Sequence, residues 1–160
     1  MSRRSILGSA GLVVSLIASS VALATEARPF DAGSMAAIRA EQAGHPFALV
    51  FWSASCVPCV KELPAWGRRL REHAKVPVLL VNLDPVAEQP AAIALARRKV
   101  GRGVQQWSLA DTVQERVYWS VNPAWHGETP YTLLHDASHR AEMYYGLISE
   151  NYLSHWYSGK

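Results

Sequence analysis

Cysteine is almost absent from this chain, with two among 160 residues. That scarcity excludes a disulfide-stapled mini-protein and any zinc site built mainly from thiolates. Charged residues are sparse too, at 18% against 49% apolar. This balance excludes disorder, collagen and coiled coil and leaves a packed globular protein. Internal repeats, low-complexity tracts and Gly/Ser linkers are missing from residues 25 to 160, so one domain is expected, large enough for a real core without metal or disulfide staples.

An excess of charge of one sign is also lacking. The sequence pI is about 9.0, but part of that basicity belongs to the start of the chain. Arg3 and Arg4 precede an uncharged apolar stretch from Ile6 to Leu23, and Ala22-Leu23-Ala24 has the small-x-small form of a cleavage site, so residues 1 to 24 read as an export signal. The stretch is about long enough to span a bilayer, which leaves an uncleaved anchor as the rival. The Arg pair leaves open which export route is used. Without residues 1 to 24, Lys+Arg falls from 16 to 14 against 13 acids, so the remainder gives no electrostatic reason to bind nucleic acid. Arg68, Arg69 and Arg71 read as a solvated helix face, and Arg97-Arg98-Lys99 as a helix C-terminus.

Thr25 to Gly33 reads as a mobile lead-in and Ser34 to Ala43 as a short helix with Ser34 as N-cap. The apolar run Phe47 to Trp52 suits a strand buried on both faces. Val60, Leu63, Gly67, Leu70 and Ala74 recur at helical spacing, so a helix is expected from about Cys56 to His73, kinked near Val60 to Pro64 by the internal proline. Val76 to Leu83 is a second strand, which makes a right-handed βαβ unit. A helix from Pro85 to Lys99, a short strand from Val104 to Leu109 and a helix from Asp111 to Tyr118 capped by Asp111 follow. Tyr131 to His135 and Arg140 to Tyr145 form an antiparallel hairpin around Asp136 to His139, and Ser149 to Trp156 closes the chain as a helix. The fold class is α/β, a mixed central sheet with helices on both faces.

Cys56-Val57-Pro58-Cys59 stands where the first long strand gives way to a helix. A thiol at a helix N-terminus meets free N–H groups and the positive end of the dipole, which favour thiolate. Cys56 is therefore the better nucleophile. Cys59, almost one turn on, lies close enough to close a disulfide and points inward, which makes it the resolving thiol. The same spacing also serves a structural disulfide or half a metal site. No further ligand is assigned, and the histidines read as loop or surface residues. His126 is the exception by position, since it stands just before Pro130.

Phe51-Trp52-Ser53-Ala54-Ser55-Cys56-Val57-Pro58-Cys59-Val60-Lys61-Glu62-Leu63-Pro64, then Val81-Asn82-Leu83-Asp84, then Thr129 to Asp136, resemble the thioredoxin superfamily and more closely its exported TlpA/ResA-like thiol-disulfide oxidoreductases. The resemblance implies a thioredoxin-like fold, with residues 25 to 44 ahead of a domain at 45 to 160. It carries over Cys56 as attacking thiol, Cys59 as resolving thiol and Glu62 as the branch's acidic residue. It also makes Pro130 the cis-proline facing the pair, with the Thr129 backbone free to pair with a bound peptide. Trp52 and His126 are candidate substrate contacts. Glu62 otherwise reads as an exposed helix residue, and Trp66, Trp107, Trp119 and Tyr144 as core or rim.

Two positions depart from the pattern. Ser55 stands where most members carry Trp, and Val50 where thioredoxin has a buried Asp. Proton removal from Cys59 then falls to Glu62 or to water. The segment Pro123 to Glu128 is longer than the minimal fold needs and is expected to shape the partner groove. The implied activity is thiol-disulfide exchange on disulfide-bearing exported proteins, first of all as a reductant. It needs no bound cofactor and no metal. A membrane thiol-disulfide donor would re-reduce the pair, and the protein would be a periplasmic or otherwise exported monomer, or anchored if the signal stays. The alternatives are an oxidant or isomerase, or a peptide- or metal-binding protein with a structural disulfide.

Overall fold

A computed structural model describes residues 27–159. The stretch read as an export signal, residues 1 to 24, lies outside the described residues. Six strands form one sheet in the order β1-β4-β3-β2-β5-β6. They are β1 (Arg28–Phe30), β2 (Phe47–Trp52), β3 (Val78–Asn82), β4 (Gln105–Leu109), β5 (Tyr131–His135) and β6 (Ala141–Tyr145). The helices are α1 (Ser34–Glu41), α2 (Val57–Glu72), α3 (Gln89–Val100), α4 (Gln114–Val121) and α5 (Glu150–Ser158). Strands β1 to β4 pair in parallel, whereas β5 runs antiparallel to β2 and β6 antiparallel to β5. The mixed sheet and closing hairpin are those expected.

Every side chain of β2 is buried, and because successive residues point to opposite faces the strand feeds two cores. Ala48, Val50 and Trp52 join Leu63 and Trp66 of α2, Ala92 and Ala96 of α3, and Leu153 and Trp156 of α5. Phe47, Leu49 and Phe51 join Met35 and Ile38 of α1 and Val117 of α4. Helices thus cover both faces. Where α2 meets α3, Gly67 is required by the close approach, because a Cβ there would lie 2.6 Å from the Val100 carbonyl oxygen. Pro64 lies inside α2, which continues to Glu72.

Several local expectations are corrected. The lead-in contains strand β1, which pairs with β4 at Arg28 to Trp107 and buries Phe30 in the second core. Three residues with one apolar side chain carry no readable period, so only the long-range pairing reveals the strand. Ser34 is the first helical residue and Gly33 the N-cap. The Ser34 hydroxyl instead accepts the Asp31 N–H at 2.9 Å and donates to the Asp31 carboxylate, closing the turn before α1. Helix α3 starts at Gln89, after a turn in which the Pro85 carbonyl accepts the Glu88 N–H at 2.8 Å. Asp111 does not cap α4. Its carboxylate accepts the Val113 N–H at 3.0 Å and pairs with Arg116, and the helix begins at Gln114. Arg69 is not a solvated residue: it is buried, donates to Ser154 Oγ at 3.0 Å and pairs with Glu72 and Glu150, tying α5 to α2.

Candidate functional site

Strand β2 ends at Trp52, whose carbonyl accepts the Leu83 N–H at 2.9 Å beyond the end of β3. The chain then loops through Ser53, Ala54 and Ser55 to Cys56. That loop is held by one buried carboxylate. Asp84 accepts the Ala54 N–H at 2.8 Å, the Ser53 hydroxyl, and the Asn82 amide at 2.6 Å. The Ser55 hydroxyl lies 2.7 Å from that of Ser53, and the Ser53 carbonyl accepts the Cys56 N–H at 3.2 Å. The first cysteine thus has a fixed starting point. Asn82, Asp84 and Ser53 received no role from the sequence; two polar residues ending an otherwise apolar strand were the available signal.

Cys56 caps α2, and its sulfur accepts the Cys59 N–H at 3.2 Å. The two cysteines form a disulfide with Cα atoms 5.2 Å apart. Their surroundings differ. Cys56 is half-buried, whereas Cys59 is 2% exposed within the cluster of Trp52, Leu63 and Trp66. In the dithiol the same N–H would face the Cys56 sulfur, and with the helix dipole it favours thiolate there.

Glu62 follows Cys59 by three residues on the same helix face. It is 7% exposed, which overturns the reading of an exposed helix residue. Its carboxylate accepts the Ile148 N–H at 3.1 Å. Burial pushes its pKa up; the Ile148 bond opposes this, as does the Trp66 indole, which lies near but outside hydrogen-bonding geometry. Trp52 is 1% exposed, so it offers a substrate no surface and instead packs beneath the disulfide. The expectation that it touches substrate is corrected.

The Thr129–Pro130 peptide is cis. Tyr131 pairs with Phe51 across β5 and β2, so Pro130 stands at the strand end from which the disulfide loop departs. The Pro130 carbonyl accepts the Gly146 N–H at 2.8 Å, while the half-buried Thr129 has no hydrogen bond among the described residues. His126 is exposed. Its backbone N–H donates to the Glu128 carboxylate at 3.0 Å, and it lines a cavity with Tyr118 and Trp125. The segment ahead of Pro130 is internally braced: Trp125 donates its indole N–H to the Glu128 carbonyl at 2.9 Å, and the Asn122 amide donates to the Tyr131 hydroxyl at 2.9 Å. Gly127, at φ 96°, lies so close to Tyr118 that a Cβ would be 2.6 Å from its ring.

His135 and His139 stand four residues apart across the hairpin turn. His135 is fully buried, correcting its reading as a loop or surface residue. Its ring stacks on Phe47, while His139 bonds the Gln42 carbonyl. Among the described residues no three His, Cys, Asp or Glu side chains gather as a metal site, and no helix is long and apolar enough to cross a membrane.

No family model and no curated protein matches the sequence. Solved structures do match. A secreted Mycobacterium tuberculosis disulfide oxidoreductase homologous to E. coli DsbE superposes with a TM-score of 0.61 at 18% identity, over 76% of this chain and 86% of that one. A thiol:disulfide interchange protein of the thioredoxin family from Chlorobium tepidum TLS gives 0.60 at 14% identity, over 76% and 83%. StoA from Bacillus subtilis gives 0.53 at 18% identity, over 71% and 83%. The chain has the thioredoxin-like fold.

Proposed function

We propose that the protein is a thiol-disulfide oxidoreductase that acts on exported, disulfide-bearing proteins, working as a reductant through Cys56 and Cys59. The observation that carries this reading is the asymmetry of the pair. One sulfur is half-exposed and caps a helix, and its partner is buried one turn below. The fold likeness to structures described as disulfide oxidoreductases supports it.

In the reducing direction the Cys56 thiolate attacks one sulfur of the substrate disulfide, and the other leaves as thiolate. Cys59 then loses its proton and attacks Cys56, which breaks the mixed disulfide and releases the second substrate thiolate. The substrate gains two electrons and the Cys56–Cys59 disulfide forms. Glu62, buried next to Cys59 with a raised pKa, takes that proton or passes it to water. The free backbone of Thr129 pairs with the substrate chain beside its cysteine, a contact that does not read sequence. A membrane thiol-disulfide donor restores the dithiol. The twin basic residues and apolar stretch near the chain start support a periplasmic or otherwise exported location.

The decisive experiment is a redox titration of the purified protein in glutathione buffers, read by tryptophan fluorescence and thiol alkylation. A midpoint below about −220 mV is expected for a dedicated reductant, whereas one between about −120 and −180 mV would make it an oxidant or isomerase. A pair that never exchanges would make the disulfide structural and end the catalytic reading.

A further inference from the structure

A second built feature adjoins the Pro130 end of the sheet. Helix α4 and the loop from Asn122 to Glu128 enclose a cavity of about 310 Å³, lined by Glu115, Tyr118, Trp119, Pro123, Trp125 and His126. Its floor is rigid. Trp125 is stacked on Tyr131, the residue after Pro130, with ring centroids 4.8 Å apart, and meets Tyr118 edge-on at 4.9 Å. The Trp125–Glu128 and Asn122–Tyr131 hydrogen bonds fix the loop over that floor. Its outer wall is Trp119, 68% exposed, so one aromatic face is open to a ligand.

The carboxylate on the lining of this cavity is Glu115. Glu115 has no ion pair or hydrogen bond among the described residues, while Arg116 beside it is already bound to Asp111 at 2.8 Å. Glu128, two residues beyond the lining, accepts the His126 backbone N–H at 3.0 Å, and backbone hydrogen bonding holds its carboxyl below the ordinary range. Aromatic faces attract cations through their ring quadrupoles, and a neighbouring carboxylate adds to that attraction. His126 is the basic group on the lining, and it lies against Glu128.

We propose that this cavity is a substrate subsite that receives a lysine or arginine side chain of the polypeptide whose disulfide is exchanged. This rests on the oxidoreductase reading and gives it a substrate class: exported chains with a basic residue a few positions from the reactive cysteine. The stem packs on Tyr118 and Pro123, the cationic head lies against Trp119 and Glu115, and the substrate backbone runs past Thr129. The loop that lines the cavity leads directly into Thr129 and Pro130, so a basic residue a few positions from the reactive cysteine is the one placed to enter it.

The test uses two peptides that differ only in lysine or norleucine placed two to four residues from a cysteine. First, versions with serine in place of the cysteine are titrated into the oxidised protein while the indole N–H resonances of Trp119 and Trp125 are followed by NMR. This readout needs no turnover. The lysine peptide should bind at least about threefold more tightly and move the Trp119 signal, and Glu115→Gln and Trp119→Ala should each erase the difference. Equal affinities, a tighter norleucine peptide or an unmoved Trp119 resonance would overturn the subsite. Second, the glutathione mixed disulfides of the cysteine peptides serve as substrates, and the same preference should appear in kcat/KM. Failure to turn over either peptide would count against the oxidoreductase reading, while the NMR titration would still decide the subsite.

Discussion

The two faces of the central sheet share the same strands but differ in what they bury. On the side covered by α2, α3 and α5 the packing admits groups whose bonding or charge can change: Cys59 and Glu62. The side covered by α1 and α4 is filled with rings. Phe30 meets Phe51 and Trp107 with centroids at 5.5 and 6.1 Å, and Phe51 meets Trp125 at 4.6 Å. The difference teaches a division of labour. One face keeps a reactive pair over a polar anchor, and the other is a stiff platform that aligns Tyr131 and the cavity beside it.

The sharpest way to separate the two faces is to remove the nucleophile. Cys56→Ser should lower insulin-disulfide reduction by at least roughly 100-fold. Its effect on stability should be small, because the disulfide joins residues only three apart. Trp125→Ala should do the reverse. Loss of a fully packed indole is expected to cost about 3 to 5 kcal/mol in a denaturant titration. The reduced variant should still alkylate at Cys56 near the wild-type rate, since the groups that favour its thiolate belong to α2. If Trp125→Ala changed that rate tenfold, the division between the faces would be lost.

The chemical face was readable from the sequence because its information is local. The motif, the helix stripe and the strand end lie within residues 47 to 74, and α2 is the element that turns their order into geometry. The hairpin was legible for the same reason, since Asp136 to His139 join two adjacent strand-like segments. The platform was not. Phe30, Trp107 and Trp125 come from distant segments and meet only when β1 pairs with β4. Glu62 was identified by resemblance, but its burial depends on Ile148, 86 residues away. Asp84 is legible as a motif position yet not as the brace of the disulfide loop, because its partners lie 30 residues back across a crossover.

Both faces carry buried titratable groups, and two of them, His135 and Glu62, respond to pH in opposite senses. His135, packed on Phe47, is driven down to about 4 mainly by burial, with the His139 carbonyl bond opposing the shift. Its neutral form is the one that fits. The stability it contributes is complete above the unfolded value near 6.5 and is lost as pH falls towards about 4. The loss should be about 2 kcal/mol, and His135→Leu should flatten that part of the stability profile. A profile unchanged by the substitution would show that other groups carry the acid sensitivity.

Glu62 should give the smallest effect, with the opposite slope. Its folded pKa is raised, so the folded protein holds the proton more tightly than the unfolded chain does. The associated stability is fully present below the unfolded value near 4.5 and declines as pH rises through the folded value. Glu62→Gln keeps an oxygen for the Ile148 N–H but cannot ionise. The variant should match wild type at low pH and become the more stable of the two as pH rises, in parallel denaturant titrations. Retained stability also isolates the carboxylate's chemical part. In single-turnover exchange, Glu62→Gln should leave Cys56 attack unchanged and slow release of the mixed disulfide, because that second step needs a proton removed from Cys59. If both steps kept their wild-type rates and pH profiles, the proton would go to water, and Glu62 would serve only to hold the Ile148 backbone.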